Sequence, residues 1–164
     1  MDEVRQLGEL LTQYAASEEH KKDQFRQQCE HWRLQIANLF GRIEQWFEPL
    51  TASGRLGITR EPLQASSAMY PLADSPFQTE KLLITLATRS VELVPEVMGN
   101  KGIIRISVQG LTSDRHGSLS LVNTPPSADW LWRKERGAKE PEVNVLDADF
   151  LALQLQALVP KTRD

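Results

Sequence analysis

The stretch FRQQCEHWRLQIANLFGRIEQWFEPL, Phe25 to Leu50, decides how the rest of the chain is read. Phe25, Cys29, Trp32, Ile36, Leu39, Ile43, Trp46 and Leu50 follow one another in alternating steps of four and three. That alternation is the seam of a coiled coil, and its 3.5-residue period predicts left-handed supercoiling against a partner helix. Polar side chains fill the positions between, among them Arg26, Gln27, Glu30, Arg33, Arg42, Glu44 and Gln45. Ala37, Phe40 and Phe47 widen the apolar stripe beyond what a two-stranded zipper needs. As a helix the stretch is about 39 Å long.

Toward the N-terminus, Val4, Leu7, Leu11 and Tyr14 repeat the three-four-three spacing, with Leu10 beside them and Gly8 as the one weak helix former. Carried forward, that phase meets Glu18, Lys21 and Phe25 and so joins the main seam in register. Two polar seam positions in a row predict a break near Ala16–Ser17. Ser17 supplies a hydroxyl cap there, and Glu18 and Glu19 supply an acidic first turn. Two structures are open, one bent or continuous helix with a polar hole or two helices; the favoured expectation is two helices, or one broken helix, with the first folding back over part of the second. The mixed charges of 18–23 read as solvated helix surface.

Toward the C-terminus, Pro49 followed by Gly54 and Gly57 ends the helix near Glu48–Thr51. The period then changes to two. Arg55–Glu61 reads as a short strand with Leu56 and Ile58 on one face. Pro62–Pro76, rich in Ser, Ala and Pro, reads as a covering loop. Strands follow around 82–87 and 91–94, the second stopped by Pro95. Gly99–Gly102 is a turn, and Ile104, Ile106 and Val108 alternate with Arg105 and Ser107. Further strands fall at 119–122 and 130–134, separated by the polar turn 110–117; Gly137–Pro141 reads as a loop and Val143–Val145 as a short extension. The connections are too brief for crossover helices, which implies an antiparallel meander. Asp147 caps a last helix, 148–159, with Pro160 beyond it. The fold class is α+β: a long N-terminal helix with a heptad seam, an antiparallel sheet of about five strands and a C-terminal helix. The organisation is a helical region, 1–50, and a sheet region with its helix, 51–164.

Composition narrows the function classes. A net charge of -3 gives no basic surplus of the kind a nucleic-acid binder advertises. No apolar run approaches the roughly 18 residues of a membrane span. Cys29 is the single cysteine, so neither a disulfide framework nor a thiolate metal cluster is available. The first residues lack the charged and apolar regions of a signal peptide, and a cytoplasmic location is the default expectation.

The usual routes to catalysis have no footing in these residues. His20, His31 and His116 fall in three different elements, without a second His or Cys at metal-ligand spacing. Cys29 lies on the seam, where a buried inert thiol is the plain reading, since nothing near it in sequence forms a base and its orienter. Gly99-Asn100-Lys101-Gly102 lacks the phosphate-loop spacing and leads into a strand, so a hairpin turn accounts for it. Asp147 and Asp149 are explained by capping and by the helix dipole. No catalytic residue, metal or cofactor is expected.

Two surfaces remain. The helix seam, Phe25, Trp32, Ile36, Leu39, Ile43 and Trp46, is the expected partner-binding surface of a non-catalytic assembly or adaptor protein, most simply a homo-oligomer. The alternative is an accessory protein of nucleic acid. It would use Trp130 and Trp132 to stack bases and Arg133, Lys134 and Arg136, with Lys139 nearby, to hold phosphates. The plain reading of that segment is that the tryptophans are core and the basic residues flank a solvated loop. A small enzyme assembled from scattered residues is a third possibility, which predicts a deep pocket with converging Asp, Glu or His side chains.

Overall fold

The computed structural model describes residues 2–65, 77–98, 103–111, 119–124, 127 and 129–160. The chain begins with a single helix, α1 (Asp2–Trp46), followed by a one-turn helix, α2 (Glu48–Ala52). Seven strands come next: β1 (Leu56–Ala65), β2 (Phe77–Leu86), β3 (Arg89–Met98), β4 (Ile104–Gln109), β5 (Leu119–Asn123), β6 (Leu131–Arg136) and β7 (Lys139–Val145). A short helix, α3 (Ala148–Gln156), ends the described chain. The strands lie in one sheet in sequence order, every neighbouring pair antiparallel. This is the α+β meander that the sequence implies, with seven strands in place of about five.

The expected break near Ala16–Ser17 is absent, and α1 runs through it. Ala15 and Ala16 are the strongest of helix formers. Within the seam's polar gap and just beyond it, ion pairs one turn apart join Glu18 to Lys21 (3.5 Å), Asp23 to Arg26 (3.0 Å) and Glu30 to Arg33. A serine caps a helix only where the backbone has another reason to stop. Pro49, by contrast, does end the long helix, and its fixed φ and missing N–H suit it to the first turn of α2.

Prolines also explain the two strands that the sequence understates. Pro62 lies in β1 and Pro141 in β7, the first and last strands of the order, where an N–H pointing out of the sheet has nothing to bond. The β6–β7 turn is therefore only Gly137–Ala138, with Gly137 at φ 65°, and residues 139–142 belong to the strand. Pro95 does not stop β3. The β2–β3 pairing ends at Leu82 and Leu93, just before Pro95, whereas on its other side Pro95 still pairs with Ile106 of β4. The missing donor thus falls where one neighbour has already peeled away. The turns expected at 99–102 and 112–117 lie outside the described residues.

One face of the sheet carries Leu82, Ile84, Val91, Leu93, Ile106, Val108, Leu119, Leu121 and Trp132, aligned row by row through the strand register. All are buried. Ile104, Ile106 and Val108 alternate with exposed Arg105 and half-buried Ser107, as the spacing predicts. Trp32, Ile36, Leu39, Phe40, Ile43 and Phe47 of α1 and its C-terminal turn join this face in one hydrophobic cluster, with Leu151 and Leu155 of α3. Asp147 caps α3 as expected, accepting a 2.7 Å hydrogen bond from the Phe150 N–H. Buried Asn123 fastens the β5–β6 connection by donating to the carbonyls of Ser127 and Asp129, each at 3.1 Å.

Candidate interaction surface

The seam of α1 divides at about Cys29. Beyond it, Trp32, Ile36, Leu39 and Ile43 are buried against the chain's own sheet. The partner surface expected at these four side chains is therefore not there: the sheet is the partner that the seam asks for. Trp46 is half-buried against the same cluster, and the Phe25 side chain lies outside the described residues. The breadth added by Phe40 and Phe47 has the same cause. A sheet offers a wider surface than one helix, and both side chains are spent on it.

The rest of the helix projects from the domain. Over residues 2–27, about 39 Å of helix, the described side chains are exposed, apart from half-buried Glu18. The first helix does not fold back over the second. Val4 is 72% exposed, Leu7 and Leu10 56%, Leu11 58% and Tyr14 65%. Among the described residues the other exposed large apolar side chains are Leu34 and Leu50 on the two N-terminal helices, Val143 and Val145 on β7, and Leu153 and Val159 in and after α3, no more than two in any one element. A stripe of five within three turns of one helix is a different object, of the kind that marks an interaction site.

Charged groups lock the docked half of α1 to the sheet. Arg60 of β1 donates from Nε to Glu44 of α1 at 2.9 Å and from Nη1 to Glu80 of β2 at 3.3 Å. Its guanidinium carbon lies 6.0 Å from the centre of the Phe40 ring. Partial burial pulls the Arg60 pKa down, but the bonds and charges of Glu44 and Glu80 outweigh it and hold the pKa above its ordinary value. Arg60 therefore stays charged and ties one helix to two strands. A second cluster sits on β2, where Lys81 reaches Glu61 (3.4 Å) and Glu92 (3.5 Å) and is raised first by its hydrogen bond to Glu61. Sequence reading passed over Arg60. Its signal was the alternation itself, which places it on the buried face of β1 after Leu56 and Ile58.

The second candidate surface loses its stacking platform. Trp130 and Trp132 are each 3% exposed, and Trp132 meets Phe150 of α3 edge-on, with ring centres 5.4 Å apart. Arg133 pairs with Glu135 (2.7 Å), Arg136 donates to the Glu140 carbonyl (2.9 Å), and Lys134 is half-buried. With Glu135, Glu140 and Glu142 interleaved among them, the basic residues form no continuous phosphate track. The core reading of the tryptophans is the correct one.

Chemistry finds little to work with. The Cys29 thiol is half-buried, and desolvation pushes its pKa up, away from the thiolate a nucleophile needs. His20 and His31 are exposed on α1, and His116 lies outside the described residues. Among the described residues no group of three His, Cys, Asp or Glu side chains is placed to hold a metal ion. The cleft between α1 and the β1–β2 ribbon is shallow, about 380 Å³, and its charged groups Arg33, Arg60 and Glu80 all have carboxylate or guanidinium partners. Among the described residues no helix is long and apolar enough to cross a membrane.

Fold and surface together define an antiparallel meander that grips one end of a long helix and displays the other. No protein-family model, curated protein or solved structure matches the chain.

Proposed function

We propose that this is a non-catalytic assembly protein whose working part is the N-terminal arm of α1, acting through a coiled-coil-like contact with another helix. The observation that carries the reading is the exposed stripe Val4, Leu7, Leu10, Leu11 and Tyr14 on a helix anchored to a folded domain. A free helix of this kind is marginal in water, since its i,i+3 ion pairs add only about 0.2–0.5 kcal/mol each. Packing of an apolar face is what makes helices persist, and here the face is presented without a cover. The sheet anchors the arm and sets its direction. The cytoplasm is the setting that suits a chain with one cysteine and no disulfide.

Sedimentation velocity over a concentration series tests the reading. The unmodified chain is expected to associate at micromolar concentration, and Leu7→Asp with Leu11→Asp to sediment as a single chain with its fold intact. A single chain at every concentration, or association that survives both substitutions, refutes it.

A further inference from the structure

We propose that the helix taken by the arm is the arm of a second copy, packed antiparallel about a two-fold axis level with Glu9. The inference rests on the assembly reading and assigns its partner and geometry. Four observations lead to it.

The stripe is complementary to itself when turned end for end. About a centre at Glu9, Val4 faces the second copy's Tyr14 and Leu7 faces its Leu11, so every layer is apolar and the small side chain meets the large one. At 3.6 residues per turn Arg5 and Glu9 fall on the opposite side of the helix, and residues 10–17 carry no charge.

A parallel partner is excluded by the chain's own sheet. Val4, Leu7, Leu11 and Tyr14 lie on the same straight stripe as Ile36 and Ile43, and the sheet occupies the space in front of those residues. A parallel second helix following the stripe would run into it. An antiparallel one leaves in the other direction and carries its own sheet to the far end.

Charge points the same way. In-register parallel pairing would set Glu18 against Glu18 and Lys21 against Lys21 on the stripe, like charges in core layers. Antiparallel pairing about Glu9 leaves both beyond the overlap, free to keep the 3.5 Å bond they make within their own helix.

Gly8 completes the argument. It is a poor helix former in an exposed helix, and a Cβ built on it meets nothing within 4 Å, so the fold of one chain does not require it. It lies on one flank of the stripe, one residue from the proposed axis, where the missing side chain lets two backbones come close. Leu10, one residue to the other side of the axis, lies on the opposite flank and fills it.

The overlap spans residues 2–16 of each copy, about 22 Å of helix. That places the contact near the low end of stable interfaces, roughly 1,200 Å² in total, and micromolar affinity is the expected strength.

Dipolar spectroscopy on a nitroxide at Lys22→Cys, in a Cys29→Ser background, reads the geometry. Antiparallel pairing separates the two labelled positions by 26 residues of helix, about 39 Å along the axis. Parallel pairing brings them to the same level, within about 15 Å. A distance near 40 Å supports the inference. A short distance overturns it while leaving assembly through the arm in place. Absence of any intermolecular distance, with the labelled protein sedimenting as one chain at several hundred micromolar, overturns the inference and the assembly reading together. As a second measurement, Gly8→Leu favours the helix of a lone chain yet fills the flank beside the axis, so association is expected to weaken tenfold or more. Unchanged or tighter association refutes the placement of the axis.

Discussion

One helix with two ends in different surroundings gives a sharp contrast: the same kind of substitution has opposite consequences along one stripe. Ile43 is fully buried where α1 meets the sheet. Ile43→Ala removes three carbons, one methylene and two methyls, from a site walled by α1 on one side and the sheet on the other, so the gap closes only partly and the cost is about 2–5 kcal/mol. For a chain of this size each kcal/mol moves the midpoint by about 2–4 °C, so a fall of about 4–20 °C is expected. Leu7 and Leu11 are more than half exposed, and replacing them removes no packing from the domain. Leu7→Asp with Leu11→Asp is therefore expected to stay within about 0.5 kcal/mol of the unmodified domain when both are measured as monomers. The assay is urea unfolding followed by tryptophan emission, since Trp32, Trp130 and Trp132 are all in the core and report its opening. Sedimentation of the same samples supplies the other half. Ile43→Ala should still associate once folded, and the double aspartate variant should not. An Ile43→Ala cost below about 1 kcal/mol, or lost association with an undisturbed domain, would refute the docking of α1 on the sheet.

Further expectations follow from single features. Asp147→Ala removes the side chain that caps α3 and should lower stability by about 0.5–2 kcal/mol in the same urea titration, with association unchanged. The β2–β3 turn places two non-glycine residues in the left-handed region, Ala87 at φ 48° and Thr88 at φ 66°. Replacing the pair with Asn-Gly should raise stability by about 1–2 kcal/mol even after the extra chain entropy of glycine, and a loss would show that the native pair is held by contacts worth more than the strain. Cys29, with its thiol pKa raised by burial, should alkylate more slowly at neutral pH than a free thiol and speed up as the pH climbs or as urea opens the domain. Equal rates in folded and unfolded protein would show the thiol to be exposed.

Much of this fold is legible in the sequence because period and face agree at each element. Ile104, Ile106 and Val108 alternate with polar residues and are buried; Asp147 has the chemistry of a cap and caps. Where reading fails, a local rule meets a position that disarms it. Pro62, Pro95 and Pro141 argue against strands only if the chain needs their missing N–H on both sides, and in this sheet none does: two are in the outermost strands and one sits where β2 has parted from β3. Neighbour count across a sheet is a property of the assembled strands, which no window of sequence contains. Ser17 has the chemistry of a cap without the backbone break that gives a cap its work.

The surface was legible in a different sense. The seam announces that α1 must be covered, yet its spacing is silent on whether a helix or a sheet does the covering, because both accept a ridge of side chains at three and four. Width does not separate the two: at about 100° per residue Val4, Leu7, Leu10, Leu11 and Tyr14 span about 120° of α1, the same sector that Trp32, Ile36, Leu39, Phe40, Ile43, Trp46 and Phe47 turn to the sheet. The apolar face thus keeps one direction and one breadth from end to end of α1, and the fold of a single copy covers only its C-terminal half.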